Sequence, residues 1–364
     1  MNQCYLPAGS SISELNFSVT NEIDKVYLFD SKVKKQIEII LGETYLLPEV
    51  LEAFKSFSEA LAPLVNPSLE FDEGQLKVKD MNDKFDIYDN YFEVSRVNDM
   101  RSGQFIQQYL DTSAEIIDEF QYTSMSRGEI AYILKGWEAA NAIILKDKNP
   151  DSNFKLEQVD RSSVPGKNED RALYRWKLAH HGFAVFMITS AYCFQKATEL
   201  IENGGDEDAI VDWLDKGAHL FRATTACMEF GNSFTATIYR TIIRPDMSKA
   251  NEEANLPNGF SGTQNLEYVE WRSRKKRLLD LVKAKKAEGT IGQRVLDMVE
   301  MFRAFYLEDM HIHSIIAGRM VGMEKSLLQA GFIKPGTKPV KITAADVLRS
   351  MAAMRDKETS FLVH

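Results

Sequence analysis

Chemistry in this sequence has few places to reside, because histidine is scarce. There are six: His180, His181, His219, His311, His313 and His364. Glu308 and His311 make a Glu-x-x-His step on one helix face, the element that di-iron carboxylate bundles use twice. Here it occurs once, and the Asp215/His219 pair does not complete a set, so a solvent-facing helix is the simpler reading. His313 has a different setting. It is followed by the small, apolar run Ser314-Ile315-Ile316-Ala317-Gly318, and Arg319 comes six residues later. A neutral imidazole on such a helix face can hold an iron porphyrin laid flat against the helix, with a nearby arginine meeting a propionate. From the pattern alone, the ring is either that ligand or a hydrogen-bonded core residue. His180-His181 reads as a surface or core hydrogen-bonding pair.

The elements that must position these residues are helical. The chain has 364 residues, enough for two domains, and 44% are hydrophobic. Amphipathic periodicity predicts helices over residues 30–41, 47–61 and 113–145, the last one long helix or two joined at Arg127-Gly128. Further helices are expected over 172–203, 209–230, 234–243, 264–286, 291–330 and 344–360. Pro150, Pro165 and Gly166 break a polar loop of about 25 residues. A second loop is expected over 244–262, and a short strand pair over 69–78. Residues Ala184 to Phe194 are apolar on all faces and belong at the centre of a core. The fold class expected is all-α, a helical bundle, with a smaller mixed N-terminal domain over residues 1–110 and a large domain over 111–364.

Composition excludes several classes. Forty-four basic residues against 53 acidic ones give a net charge of −9, which disfavours nucleic acid and anionic membrane surfaces as partners. No apolar stretch approaches the roughly 20 residues of a membrane helix. The opening residues MNQCYLPAGSS lack the basic and apolar regions of a secretory leader. Three cysteines, Cys4, Cys193 and Cys227, are too few for a disulfide framework, so a reducing, cytoplasmic setting is expected. The basic run Arg272, Arg274, Lys275, Lys276, Arg277 reads as a solvated helix face.

Five segments, in order over roughly residues 170–364, resemble the tryptophan and indoleamine 2,3-dioxygenase superfamily. His313 with Arg319-Met320-Val321-Gly322 is similar to its proximal-histidine segment. Gly182-Phe183 and the apolar run after it resemble the distal helix of indoleamine dioxygenases. Ile243-Arg244-Pro245 resembles the step whose arginine holds the substrate carboxylate. Gly259-Phe260-Ser261-Gly262-Thr263-Gln264-Asn265 resembles the loop crossing the distal haem face. Thr343 to Leu348, with Arg355, resembles the C-terminal helix. Where those enzymes carry Gly-Thr-Gly-Gly, this chain has Lys341-Ile342-Thr343-Ala344. That departure is closer to the divergent bacterial branch containing monodechloroaminopyrrolnitrin synthase.

The resemblance implies a bundle enclosing haem b, with His313 on the iron and Arg319 at a propionate. It implies an oxygenase acting with dioxygen on an indole or tryptophan-like substrate, by dioxygenation or ring rearrangement. Phe183 and Met187 would line the substrate pocket, or simply pack. Arg244 would pair with a carboxylate, or form a salt bridge with Asp246 or Glu252. Ser261 and Thr263 would hydrogen-bond oxygen or substrate, and Gly262 would let the backbone approach the haem; an ordinary turn is the alternative. Relatives include monomers, dimers and tetramers, which allows a homodimer. The altered substrate loop also fits a haem-binding or oxygen-sensing protein without turnover. Residues 1–110 would cap the distal side.

Overall fold

The structure, a computed structural model, describes residues 3–8, 23–41, 53, 55–59, 69–79, 83–146, 168–253, 260, 262–322 and 344–362. Among these residues eleven α-helices and two short strands are formed, and the all-α class holds. The order is β1 (Cys4–Pro7), α1 (Ile23–Leu41), α2 (Lys84–Tyr91), β2 (Val94–Val97), α3 (Ser102–Phe120), α4 (Arg127–Ile144), α5 (Asn168–Glu202), α6 (Glu207–Gly231), α7 (Ala236–Ile238), α8 (Arg244–Glu253), α9 (Leu266–Glu288), α10 (Gln293–Met320) and α11 (Ala344–Thr359). None of the helices is long and apolar enough to cross a membrane.

The chain divides into two compact bodies. The first comprises Met1–Asp80, Asp89–Phe186 and Ala226–Ser233; the second comprises Met81–Tyr88, Met187–Thr225 and Phe234–His364. A boundary at residue 110 falls inside α3.

In the first body, β1 and β2 pair in parallel, Cys4 opposite Val94 through Pro7 opposite Val97. Such a pair forms across some 90 residues of chain, so no local signal announces it. The strand pair expected at 69–78 reduces to one bridge, Leu76 against Val97. Behind β2 the guanidinium of Arg96 grips Asp89 through two bonds of 2.6 Å, both side chains almost wholly buried. The expected 113–145 helix is two helices. α3 ends at Phe120, and Ser126 starts α4 with a capping box: the Ser126 hydroxyl accepts from the Glu129 N–H while the Glu129 carboxylate accepts from the Ser126 N–H. Gly182 on α5 lies so close to α3 and α6 that a Cβ would come within 2.6 Å of Ile116 and 3.2 Å of Cys227. Glycine is therefore needed there for close approach.

The second body is built around aromatic rings. Trp271 on α9, fully buried, stacks on Phe221 of α6 at 4.7 Å, and Phe302 and Tyr306 of α10 pack edge-on or tilted against it. α10 buries Val295, Val299, Phe302, Tyr306, Asp309, Met310, Ile316 and Met320. Apart from Met310 these follow one face in steps of three, four or seven residues, a seam along the helix, and α11 packs along α10.

The loop expected from residue 244 is α8 for its first ten residues. Pro245 sits in the first turn of that segment, which runs on from the helical residues before it, so the proline continues a helix rather than ending one. It also leaves a mark upstream. Residues Tyr239–Ile243 form a π turn, closed by the Arg244 N–H reaching the Tyr239 carbonyl. Pro245 has no N–H with which to continue an α-ladder back to Thr241, and the wider turn absorbs that loss.

Candidate functional site

His313 falls on the buried seam of α10, two turns after Tyr306 and one after Asp309. The ring keeps some accessible surface. Even so, the surrounding protein holds its pKa below the ordinary value, by burial first; Asp309 raises it and Arg355 lowers it. The ring is therefore neutral near pH 7, the form that ligates metals. Among the described residues neither of its nitrogens has a hydrogen-bond partner. Both ring nitrogens therefore stand outside the hydrogen-bond network of the described residues, which leaves the ring's lone pair as a candidate donor to a cofactor.

The neighbours of His313 are firmly engaged. Asp309 accepts from the Thr225 hydroxyl at 2.9 Å and from Arg355 at 2.6 Å. Arg355 also donates to the Tyr306 carbonyl at 2.7 Å and lies over the Tyr306 ring at 4.0 Å. Arg355, singled out on the C-terminal helix, is thus one of the side chains that tie α11 to α10. Lys275 sits in the same cluster. Its ammonium donates to the Tyr306 hydroxyl at 2.7 Å and to both Glu358 oxygens at 2.8 Å. Burial lowers its pKa to about 8, with Glu358 acting against the shift.

Lys275 corrects the reading of the basic run as a solvated face. The buried residues of α9 are Glu267, Trp271, Lys275, Leu278, Leu279 and Val282, so the core-facing stripe passes through the run. Position four after Trp271 would have located it. Lys276, Arg277 and Arg272 do face outward, with Lys276 on Asp280 and Arg277 on Glu202.

The π turn reaches α10 from the other end. Arg240 donates through Nε to the Met320 carbonyl at 3.4 Å. Arg244 lies one turn further, half-buried, and its charge opposes the burial that raises the pKa of Tyr239. So the structure brings the Arg244 segment to the C-terminal end of the helix that carries His313. Sequence reading passed over Arg240, although its i, i+4 spacing to Arg244 marks it. Arg319 is exposed on the last turn of α10, and where Gly318 would carry a Cβ there is open space.

The remaining expected residues are less concentrated. Gly262 and Thr263 are exposed in a short 3-10 turn before α9. What approaches Gly262 is the Tyr268 ring, within 2.8 Å of an added Cβ. Asn265 caps α9 by accepting from the Tyr268 N–H at 2.7 Å. Ser261 lies outside the described residues. Met187 is buried in the second body and Phe183 half-buried in the first.

The other described histidines are accounted for. His180 Nδ1–H donates to the Trp176 carbonyl at 2.7 Å and its ring stacks on Phe92 at 3.8 Å. His181 Nε2–H donates to the Phe92 carbonyl at 2.6 Å. His219 pairs with Asp215 at 3.5 Å, and His311 is exposed. Among the described residues no group of three or more His, Cys, Asp or Glu is placed to hold a metal ion. Glu308 is gripped by Arg222 through bonds of 2.8 and 2.9 Å, so a di-iron site finds no support. A porphyrin, by contrast, brings four nitrogens of its own and asks one donor of the chain. His313 fits that demand.

Comparison with known proteins narrows the reading. No curated protein sequence matches. A crystal structure of reduced SfmD, soaked with sodium hydrosulfite, matches with a TM-score of 0.50 at 15% identity, covering 86% of this chain and 96% of that one. At that identity the likeness speaks for the fold alone. The sequence model of the SfmD 3-methyl-L-tyrosine peroxygenase family matches residues 17–291, stopping just before α10, so it does not itself bear on His313. It spans well over half of the 364 residues, and the chain belongs to the SfmD 3-methyl-L-tyrosine peroxygenase family.

Proposed function

We propose that this protein is a haem-dependent oxygenase that transfers oxygen from a peroxide to the ring of a tyrosine-type amino acid. The observation that carries the reading is the neutral imidazole of His313, uncommitted among the described residues, in a chain whose family is named for a peroxygenase. The family name moves the first substrate to test from an indole to a phenol, and the oxidant from dioxygen to peroxide. The five-segment likeness to tryptophan and indoleamine dioxygenases stays a resemblance.

Bound haem would supply the iron at which the peroxide bond is activated. The chain supplies the rest. His313 holds the iron, and burial keeps the ring unprotonated for that task. Haem b, the type that the resemblance implies, is the first form to test. Arg319 meets a propionate. Arg244 orients the amino acid by its carboxylate, a task suited to a planar guanidinium. Thr263 and Ser261 bind polar substrate groups, and Met187 gives the ring apolar surface. All three cysteines are buried free thiols, in keeping with a cytoplasmic setting.

Hemin titration followed by an alkaline pyridine spectrum tests the cofactor and its type. Labelled hydrogen peroxide with L-tyrosine, 3-methyl-L-tyrosine and L-tryptophan tests the reaction. Label entering a phenol ring supports the proposal. A preparation that takes up no hemin overturns it, and a loaded protein that turns over no substrate is a haem-binding protein. Dioxygen-dependent attack on tryptophan returns the reading to an indole oxygenase. Arg244→Ala should raise KM for the amino acid roughly 10- to 100-fold, the scale of a lost charged hydrogen bond, with haem content unchanged.

A further inference from the structure

We infer that Tyr306, Trp271 and Tyr268 form an electron-transfer line that carries oxidising equivalents from the His313 site towards the surface when peroxide reacts without substrate. This rests on the haem reading above. Tyr306 lies seven residues before His313 on the same seam, a rise of about 10 Å along the helix. Its ring centroid is 6.0 Å from that of Trp271, and Trp271 lies 6.1 Å from Tyr268 with the planes stacked at 17°. Trp271 is fully buried, whereas Tyr268 is half-exposed.

The polar groups around the line are those such a role requires. Tyr306 is flanked by two cations, Arg355 at 4.0 Å and Lys275 at 4.2 Å from the ring centroid. They oppose a positive charge on that ring, so an electron can leave only together with the phenolic proton. The acceptor is in place: the Tyr306 hydroxyl donates to Glu358 Oε2 at 3.3 Å. Trp271 holds its N–H on the neutral Ser190 hydroxyl at 3.1 Å and so passes an electron without losing a proton, while Lys275, 5.7 Å from its ring centroid, keeps the oxidised ring short-lived.

The steps balance. One electron passes from Tyr306 to the oxidised site as its proton moves to Glu358. An electron then passes from Trp271 to Tyr306, and Glu358 returns the proton. Next an electron passes from Tyr268 to Trp271, and the Tyr268 phenolic proton leaves to water. A thiol or enediol in solution restores Tyr268 by giving up a hydrogen atom. Two such passages, with two protons, reduce one hydrogen peroxide to two waters.

The test uses the haem-loaded protein, frozen soon after hydrogen peroxide is added without substrate. Electron paramagnetic resonance with ring-deuterated tyrosine should show a tyrosyl radical. A nitroso spin trap should mark Tyr268, read by peptide mass spectrometry. Trp271→Phe should abolish the Tyr268 adduct while haem content and the Soret band stay unchanged. Glu358→Gln should suppress both signals while keeping every aromatic ring, which covers the case of a Trp271→Phe chain that does not fold. A loaded protein with no protein radical, or an undiminished Tyr268 adduct in either variant, overturns the line alone. A chain that takes up no haem overturns the line and the proposed function together.

Discussion

The α5 pair His180-His181 and the α10 residue His313 are the same side chain in similar burial, doing different work. At α5 each ring gives one N–H to a backbone carbonyl, and His180 also stacks on Phe92. Their hydrogen-bonding capacity is used within the fold. At α10 the ring sits on the core seam with neither nitrogen engaged among the described residues, beside an aspartate already held by Thr225 and Arg355. Burial lowers the pKa in both places. A depressed histidine pKa therefore does not distinguish a ring bonded within the fold from one whose nitrogens are unengaged among the described residues.

That contrast can be broken most sharply by exchanging the losses. His313→Ala should weaken haem binding by more than about 100-fold, beyond the 10- to 100-fold cost of losing an outer-shell partner. His311→Ala should leave it unchanged, with both read by hemin titration. If His311→Ala is the colourless variant, the assignment on α10 is reversed. At α5 the outcome should be the opposite: His181→Ala leaves the Phe92 carbonyl without its donor and opens a cavity. It should cost about 3 kcal/mol in urea unfolding while hemin uptake stays normal.

A smaller effect comes from pH. Burial holds His180 at about 3 and His181 at about 4, both below the ordinary 6.5. The unfolded chain then binds protons more readily, so the stability these rings contribute is complete above about pH 6.5 and is lost as pH falls towards 3. The urea midpoint should drop between pH 7 and pH 4, and His181→Gln should flatten part of that slope. A wild-type midpoint that does not move over this range would mean that the pair is not held neutral.

Much of the helical frame was legible in the residues. The apolar run around Phe183–Phe194 lies in α5, and α6, α9 and α11 lie within two or three residues of their expected limits. Three features were not legible, each for a physical reason. The β1–β2 pair is joined by distant segments with only four residues apiece. Lys275 hides in a run of five cations, where charge outweighs the helical phase that buries it. The helix after Pro245 was missed because proline was read as a stop rather than a first-turn residue. For the candidate site, residue type and spacing pointed to His313 and the family resemblance to Arg244, but neither pointed to Arg240, which reaches Met320 across 80 positions. Whether the flanking nitrogens are taken is a tertiary fact that no linear pattern carries.

The widened turn at Tyr239–Ile243 has a consequence for how this lineage can change. It holds one residue more than a regular helix would need to cover the same rise. Deleting a single codon inside it would let the backbone close as an unbroken spiral over the same rise, with Arg244 kept near its present azimuth. The Pro245 ring would then meet a regular carbonyl four residues back. Codon loss at this spot should therefore kink the rod, whereas the wider loop of backbone lets the proline stay.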